Sequence, residues 1–241
     1  MIVIPMAGLS SRFFKEGYTQ PKYMLQAYGI PLFDHAVLSF REYFYTLPFL
    51  FIVRDAFDTR EFVRQRCEIL GIKNYRIVVL EELTRGQAET VYLGIAELDN
   101  STPLTIFNID TFRPNFVFPE VVSNCDGYIE VFKGEGSNWS YVRPASMYSN
   151  IVLETAEKKP ISDLCSTGLY HFKQASDFRR AFETESSRSE SEWQSKELYI
   201  APLYNYLINE GKNILFNLID RKDVIFCGIP EEYLEYISDK I

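Results

Sequence analysis

The sequence predicts an α/β protein whose mostly parallel β-sheet is covered by helices. Short apolar runs rich in β-branched and aromatic residues alternate with longer segments of helical periodicity, in β-α-β-α order through the first half of the chain. The 241 residues are 46% hydrophobic and 24% charged, which is typical of a folded globular protein. No linker composition and no internal repeat interrupts the sequence. We therefore expect a single domain over residues 1–241.

In the first half of the chain, predicted strands alternate with predicted helices. Short apolar runs that end in turn-forming residues predict strands at 1–6, 49–53, 75–80 and 105–109. Apolar residues at helical spacing predict helices at 31–45, 58–71 and 87–98. The second of these helices begins at Asp58-Thr59-Arg60-Glu61, which resembles a capping box, and it ends at Gly71.

The second half is less regular. We predict strands at 128–132, 151–154, 168–172, 214–218 and 224–227. We predict one helix at 199–209 and a final helix that begins at Pro230. Residues 184–195 are mostly Ser and Glu, so they predict a solvated loop, and we treat this loop as a hypothetical lid.

A small, polar and positively charged loop follows the first strand. It contains Gly8, two serines and Arg12, and Pro21-Lys22 follows shortly after. In open α/β sheets, ligands bind beyond the carboxyl ends of the strands. Gly8 lets the backbone approach a ligand, consecutive N–H groups can point at an anion, and Arg12 and Lys22 add positive charge. The loop therefore predicts a polyphosphate ligand, although it matches neither the P-loop nor the G-x-G-x-x-G pattern.

Composition excludes several classes of function. A net charge of −8 argues against a general nucleic-acid binder, so any anion site has to be local. The four cysteines lie far apart with no C-x-x-C pair, which predicts reduced core thiols and no zinc site. No long apolar run or charged leader is present, so we expect no membrane partner and a cytoplasmic location. His35 and His171 are expected to be structural.

The order of the short motifs resembles the nucleotidyltransferases that make nucleoside-diphosphate sugars and related activated phosphates. That family places G-x-G-[TS]-R, then P-K and a G-K-P-L-like turn, after its first strand; here the chain has Gly8 to Arg12, Pro21-Lys22 and Gly29-Ile30-Pro31-Leu32. Five more matches follow in family order: Arg85-Gly86-Gln87-Ala88, Asn108-Ile109-Asp110, Glu157-Lys158, Ser166-Thr167-Gly168-Leu169-Tyr170 and Gly228-Ile229-Pro230-Glu231-Glu232. The resemblance spans almost the whole chain and implies a Rossmann-like three-layer fold.

The resemblance also implies a reaction and its partners. A phosphate oxygen of a small phosphorylated acceptor would attack the α-phosphorus of a nucleoside triphosphate, and pyrophosphate would leave. Catalysis would use Arg12 and Lys22 on phosphate charge, with Asp110 holding Mg²⁺. The implied nucleotide-binding residues are Ala7, Gly8, Leu9, Ser10, Ser11, Glu81, Gly86 and Gln87. The implied acceptor-binding residues are Asn108, Glu157, Lys158 and Gly168. The implied role is surface polysaccharide (capsule) biosynthesis; the oligomeric state stays open, with a homodimer as one option.

Two positions depart from the family pattern. Ser10 occupies the second glycine position, so a positive φ there would strain the backbone by roughly 1 kcal/mol or more. Many members carry a second metal-binding aspartate two residues before the glycine of the last motif, where this chain has Phe226. Asp223 and Asp220 are the alternatives, and the two-aspartate arrangement is left open.

The position that reads the base in many members corresponds here to Glu81. A carboxylate accepts hydrogen bonds but donates none, so it suits the amino group of cytosine and disfavours the O4 acceptor of uracil or thymine. We therefore expect CTP first, with UTP or TTP next, and guanine stays open because it also offers donors.

Two other classes of function compete with a nucleotidyltransferase. One is a glycosyltransferase that uses a nucleoside-diphosphate sugar, for which Asn108-Ile109-Asp110 offers only one acid. The other is a non-catalytic nucleotide-binding regulator, which Ser10 and Phe226 keep open. Release of pyrophosphate from a triphosphate distinguishes the first class from both others.

Overall fold

The computed structural model describes residues 1–238. The strands are β1 (Ile2–Pro5), β2 (Gln26–Ala27), β3 (Ile30–Pro31), β4 (Phe49–Arg54), β5 (Tyr75–Leu80), β6 (Leu104–Phe107), β7 (Thr111–Phe112), β8 (Gly127–Lys133), β9 (Ser140–Pro144), β10 (Val152–Glu157), β11 (Leu164–Phe172), β12 (Ile214–Ile219) and β13 (Ile225–Phe226). The helices are α1 (Ser11–Lys15), α2 (Leu32–Leu38), α3 (Thr59–Leu70), α4 (Gln87–Gly94), α5 (Ala175–Ser186), α6 (Tyr204–Asn209) and α7 (Pro230–Ser238). Within residues 1–238, none of the helices combines the length and hydrophobicity that a membrane crossing requires.

Nine strands form one sheet. Its order is β10-β9-β11-β6-β1-β4-β5, with β8 paired to β11 and β12 paired to β8. The pairs β1–β6, β4–β5 and β12–β8 are parallel, whereas β11 is antiparallel to β8 and β9, and β9 is antiparallel to β10. Two short two-stranded sheets, β2–β3 and β7–β13, complete the strands. The predicted α/β class, a central sheet flanked by helices, is confirmed.

The chain divides into two compact units. The first unit contains Met1–Val3, Thr84–Ile106 and Phe118–Arg221. The second unit contains Ile4–Leu83, Phe107–Val117 and the chain from Lys222 onward. Neither unit is one continuous stretch of sequence. The single domain over residues 1–241 stays a prediction.

An aromatic core underlies the second unit. All residues of β4 from Phe49 to Val53 are at most 1% exposed, as expected for a strand covered on both faces. The ring centre of Phe33, on α2, lies 5.4 Å from that of Phe51 on β4. An ion pair between Arg66 of α3 and the buried Asp34 of α2 joins the two helices. This packing gives the loops at the ends of the strands a rigid base.

The core of the first unit centres on β11, whose nine residues are all buried. Tyr204 of α6 stacks on Phe172 with ring centres 4.4 Å apart, and its hydroxyl donates to the main-chain oxygen of His171 at 2.8 Å. The His171 ring meets Thr105 Oγ1 at 3.0 Å, so this histidine is structural, as predicted. All four cysteines are free and buried, which also agrees with the sequence prediction.

The helix predicted over 31–45 is shorter in the structure. α2 ends at Leu38, and a separate 3₁₀ turn follows at Arg41–Tyr43. The Phe40 N–H bonds to the carbonyl of Val37, three residues back, at 3.0 Å, which tightens the chain where the α-helix would continue. Phe40 is thereby fully buried, and packing of its ring overrides the helical periodicity.

Residues 184–195 are only partly a solvated loop. α5, which was not predicted, continues to Ser186, and residues Glu190–Glu192 form a 3₁₀ turn. Glu185 and Trp193 are buried, and the Trp193 indole donates to the main-chain oxygen of Glu185 at 3.2 Å. Polar composition concealed the helix because its buried face is carried by a few well-spaced apolar residues. Strand β9 was also missed.

Candidate active site

The loop after β1 presents unused hydrogen-bond donors. Gly8 and Leu9 are exposed, and the N–H groups of Gly8, Leu9 and Ser10 donate to no acceptor within residues 1–238. A Cβ on Gly8 would meet no atom within 4 Å, so the space beside the loop is open. Adjacent N–H groups without an internal acceptor are a recognised arrangement for binding anions.

Ser10 has the strained backbone anticipated for it. Its φ is 51°, in the left-handed region that costs a serine about 1 kcal/mol or more. Its hydroxyl accepts the main-chain N–H of Lys22 at 3.2 Å, and its carbonyl accepts the N–H of Phe13 at 3.0 Å. A glycine at this position would lack the first of these bonds. Ser10 therefore ties the loop to the segment that carries Lys22.

Arg12 lies on the short helix α1 and is exposed. Its guanidinium has no hydrogen-bond or carboxylate partner within residues 1–238. Of its neighbours in the loop, Ala7 is buried and Ser11 is exposed. The guanidinium charge is thus available to a ligand, and its role in binding phosphate oxygens stays a prediction.

Lys22 and Asp110 form an ion pair across 88 residues of sequence. Lys22 begins the 3₁₀ turn Lys22–Met24 after the buried Pro21, and Asp110 lies in the turn between β6 and β7. The ammonium Nζ donates to Asp110 Oδ2, and the two side chains are 21% and 20% exposed. Two of the three predicted catalytic side chains therefore meet.

A second carboxylate lies beside this pair. Glu232 Oε2, on the first turn of α7, accepts the Gly228 N–H at 2.7 Å, and the Cys227 N–H donates to the main-chain oxygen of Asp110 at 2.8 Å. Burial raises the pKa of Glu232 above its ordinary value, and the nearby charge of Asp110 adds to the shift. The sequence analysis quoted Glu232 in the last motif but gave it no role, although it stands three residues after Ile229, where a carboxylate at a helix start accepts main-chain N–H groups.

Phe226 is held close to Asp110 by the sheet register. It pairs with Thr111, the residue after Asp110, in the β13–β7 sheet. Asp223 lies in a 3₁₀ turn with an exposed side chain, and its main-chain oxygen accepts Arg113 Nη1–H at 2.8 Å. Residues 1–238 contain no cluster of three or more His, Cys, Asp or Glu side chains able to hold a metal ion.

The backbone of the first unit itself requires glycine at position 86. Gly86 has φ 149°, and a Cβ there would lie 2.6 Å from the nitrogen of Leu198. The Leu198 N–H donates to the Arg85 carbonyl and the Ala88 N–H donates to the Leu198 carbonyl, both at 2.9 Å. Gln87 begins α4 directly after this contact. Packing thus explains Gly86 whether or not a nucleotide also contacts it.

Glu81 follows β5 in the second unit and is exposed. Its carboxylate has no hydrogen-bond or ion-pair partner in the described part of the chain, residues 1–238. Asn108 is half-buried in the turn that follows β6. Both residues are at the carboxyl ends of strands, where the sequence analysis placed them.

Glu157 is a buried acid at the end of β10. The β10–β9 register sets it opposite Ser140, whose hydroxyl donates to Glu157 Oε2 and lies 3.2 Å from the Tyr170 hydroxyl. Burial raises the pKa of Glu157, while the Ser140 hydrogen bond and the charge of Lys158 oppose that shift. Gly168, in β11, has φ 89° where the β11–β8 register is irregular, a conformation that favours glycine.

Lys158 comes directly after Glu157 and also has a left-handed backbone, with φ 55°. Its ammonium donates to the hydroxyl of Tyr199 at 2.5 Å. The first unit thus surrounds Glu157 and Lys158, two of the four predicted acceptor residues, with Ser140, Tyr170 and Tyr199. Tyr170 belongs to the Ser166–Tyr170 motif but was given no role, and no spacing signal indicates Ser140 or Tyr199, because strand register and chain folding place them there.

The chain matches no protein-family model and no curated protein. Among solved structures, it is similar to a nucleoside-diphosphate-sugar pyrophosphorylase from Vibrio cholerae RC9, with 57% identity and a TM-score of 0.96 over 99% of this chain and 100% of that chain. It also resembles an inositol-1-phosphate CTP transferase from T. maritima, with 15% identity and a TM-score of 0.73 over 98% and 94% of the two chains.

A UDP-glucose pyrophosphorylase complexed with UDP-glucose has 16% identity and a TM-score of 0.75 over 98% of this chain and 96% of its own. At 15% and 16% identity, the likeness to these two structures shows a shared fold alone. The Vibrio cholerae match is far stronger because it combines 57% identity with coverage of both chains. This chain therefore belongs to the nucleoside-diphosphate-sugar pyrophosphorylase family of nucleotidyltransferases, as the order of its motifs predicted.

Proposed function

We propose that this enzyme transfers a nucleoside monophosphate from CTP to a sugar phosphate or another small phosphorylated acceptor and releases pyrophosphate. The observation that carries the proposal is the Lys22–Asp110 pair, together with the loop of unbonded N–H groups that Ser10 joins to Lys22. This arrangement offers positive charge, a carboxylate and main-chain donors within one unit. Those are the groups that phosphoryl-type transfer requires.

The transfer needs alignment and charge neutralisation more than covalent help from the protein. An oxygen of the acceptor phosphate forms a bond to the α-phosphorus, and the bond from that phosphorus to the leaving pyrophosphate oxygen breaks. The loop N–H groups and Arg12 would hold the β- and γ-phosphates. The Lys22 ammonium would turn from Asp110 toward the oxygens bound to the α-phosphorus and stabilise their negative charge.

Asp110 is the residue that would hold Mg²⁺. Magnesium commonly binds one or two carboxylates together with substrate phosphates, and this donor set fits a site with one carboxylate beside a phosphate-binding loop. When bound, the ion would neutralise negative charge on the phosphate oxygens. Asp223 stays a candidate for a second ligand.

In the first unit, we assign the acceptor's phosphate to Lys158 and its polar groups to Glu157. The ammonium of Lys158 is exposed, and the buried Glu157 carboxylate is oriented by Ser140. Gly168 is a further acceptor-binding residue of this unit, and Asn108, which belongs to the second unit, stays a predicted acceptor-binding residue. Activated sugars made by such a reaction supply surface polysaccharide synthesis, and a cytoplasmic location accords with four free cysteines and with the supply of nucleoside triphosphates.

The preference for CTP rests on Glu81. Its carboxylate is exposed and uncommitted within residues 1–238, so it is available to accept from the amino group of cytosine. The shared fold does not choose the base, since the similar structures include a CTP transferase, a putative thymidylyltransferase and a UDP-glucose pyrophosphorylase. A mismatched donor and acceptor would cost about 1–3 kcal/mol, or roughly tenfold to a hundredfold in selectivity.

The test measures kcat/KM for pyrophosphate release with ATP, CTP, GTP, UTP and TTP, using a panel of phosphorylated sugars, polyols, amino alcohols and amino acids. We expect CTP to be best and Glu81→Gln to lose that preference. Glu82→Gln, at the adjacent exposed glutamate, is the matched control and should keep it. A wild-type preference for UTP or TTP, or an unchanged preference in Glu81→Gln, would exclude Glu81 as the base reader.

A further inference from the structure

A short segment of the first unit, residues 194–199, connects two of the motifs. Leu198 is 1% exposed and forms two main-chain hydrogen bonds of 2.9 Å with the Arg85–Ala88 segment. At the other end, the Gln194 side-chain oxygen accepts the Glu157 N–H at 2.8 Å. Tyr199 directly follows Leu198 and precedes Ile200, which is also 1% exposed. The base of the Tyr199 side chain is therefore fixed by buried neighbours on both sides.

Lys158 is aimed at Tyr199 by an unusual backbone. A long side chain with φ 55° is rare, and such strain at a non-glycine residue concentrates at functional sites. Strand β10 ends at Glu157, and the Lys158 N–H makes one more bond, to the Trp139 carbonyl at 2.9 Å, so the left-handed turn falls where the β10–β9 pairing ends. The turn directs the lysine side chain away from that strand pair and toward Tyr199.

The hydroxyl of Tyr199, more than its ring face, holds the ammonium. Lys158 Nζ lies 2.5 Å from the hydroxyl oxygen and 4.4 Å from the ring centre. Burial raises the pKa of Tyr199, so the phenol is neutral near pH 7 and accepts a proton of the ammonium in a hydrogen bond. An ammonium has three N–H donors, which leaves two for another acceptor.

The Lys158 ammonium has no ion-pair partner in the described part of the chain. Within residues 1–238, no carboxylate lies within ion-pair distance of its ammonium, even though Glu157 is the preceding residue. A neutral phenol can orient an ammonium without neutralising it, whereas a carboxylate would do both. This arrangement suits a lysine whose ammonium binds an anionic ligand.

We propose that Tyr199 is a positioning residue that orients Lys158 toward the phosphate of the acceptor. This inference rests on the proposed function, which assigns that phosphate to Lys158. Tyr199 accepts one ammonium N–H and thereby limits the directions of the other two. Loss of its hydroxyl would leave an exposed, flexible lysine and weaken phosphate binding.

The test uses the full chain labelled with ¹³C at lysine Cε, without nucleotide and with inorganic phosphate as the probe. The Lys158 resonance, identified from its loss in Lys158→Arg, should shift on titration with phosphate. We expect Tyr199→Phe, which keeps the ring, to weaken the phosphate response about tenfold, the effect typical of losing a hydrogen bond to a charged group. Tyr148→Phe, at a tyrosine that is 95% exposed, should leave it unchanged.

The wild-type protein supplies a second readout that needs no substitution. In protein labelled at tyrosine Cζ, the Tyr199 resonance should shift along the same phosphate titration curve as Lys158. Equal phosphate affinity in wild type and Tyr199→Phe, or a silent Tyr199 resonance, would overturn the positioning role and leave the proposed function intact. A wild-type Lys158 that does not respond to phosphate would refute the acceptor role itself, and the inference with it.

Discussion

Substitution of Gly228 by alanine should disturb the candidate site while leaving the fold intact. A Cβ at this position would lie 3.1 Å from Asp110 Oδ2 and 3.5 Å from Glu232 Oε2. The second distance is an ordinary contact, whereas the first is closer than carbon and oxygen atoms normally approach. Gly228 has no positive φ, so alanine fits its backbone without strain. The added Cβ therefore clashes with the Asp110 carboxylate, which is paired with Lys22.

The magnitude follows from how far the carboxylate has to move. To restore a normal contact, Asp110 Oδ2 would shift by a few tenths of an ångström. A misplacement of about 1 Å at an active site can cost roughly 10²-fold in rate, so a shift of this size should lower kcat by about three- to fivefold. The alanine should meanwhile leave the stability unchanged or raise it by up to about 1 kcal/mol, because it restricts the unfolded chain.

The assay combines pyrophosphate release with thermal unfolding of the same preparations. Gly127→Ala is the matched control, because its Cβ would lie 2.8 Å from the His171 carbonyl and 2.9 Å from the Tyr204 ring in the core of the first unit. That variant should lose about 1–3 kcal/mol of stability from overpacking while its folded fraction stays active. A Gly228→Ala enzyme with wild-type kcat, or one that loses stability as Gly127→Ala does, would refute the reasoning.

Three further outcomes are expected. Lys22→Met and Arg12→Ala should each lower kcat at least ~10²-fold, because each removes charge that stabilises the transition state; wild-type pyrophosphate release by the folded variants would exclude both residues from catalysis. EDTA should abolish turnover, added Mg²⁺ should restore it, and Asp110→Asn should be nearly inactive; activity that survives EDTA would contradict the metal role. Burial lowers the pKa of His171 from 6.5 to about 4 in the folded state. The unfolded chain therefore takes up this proton first, and stability should fall by up to about 3 kcal/mol as the pH drops from 6.5 to 4. Urea unfolding at pH 7 and pH 4.5 should show a smaller loss in His171→Gln; an equal loss would show that other groups cause it.

The class of fold could be predicted because its signals are local. A strand such as β4 is a continuous apolar run, and helix α3 ends at Gly71 as predicted. The capping box predicted at its start is wrong, because the Asp58 side chain caps no main-chain N–H and Glu61 bonds to Arg64 instead. Several elements were missed, among them β9 and α5, and one helix was predicted too long at 31–45, because these parts of the chain depend on distant packing. Phe40, for example, leaves the helical path because its ring packs against Phe49 and Phe107.

The charged residues of the candidate site could also be identified from the sequence. Arg12, Lys22 and Asp110 were named from the order of motifs, whereas the glycine pattern left open whether Ser10 has a positive φ or the loop bends differently, and the structure gives the positive φ. The sequence did not show that the Ser10 hydroxyl would bond to the Lys22 N–H, since those residues are joined by a loop of unpredicted shape. It also offered only a ligand-based reason for Gly86, whereas the backbone of Leu198 supplies a structural one.

The sequence by itself determined which chemical groups this protein has for handling phosphates and roughly which strand ends carry them. Only the tertiary structure decided which of those groups meet. Asp110 pairs with Lys22 across 88 residues, Glu157 meets Ser140 through strand register, and Lys158 reaches Tyr199 across 41 residues. The physical reason is that secondary structure follows from interactions a few residues apart, which periodicity records. A contact between distant residues depends on how the elements pack and pair, and no local pattern encodes it.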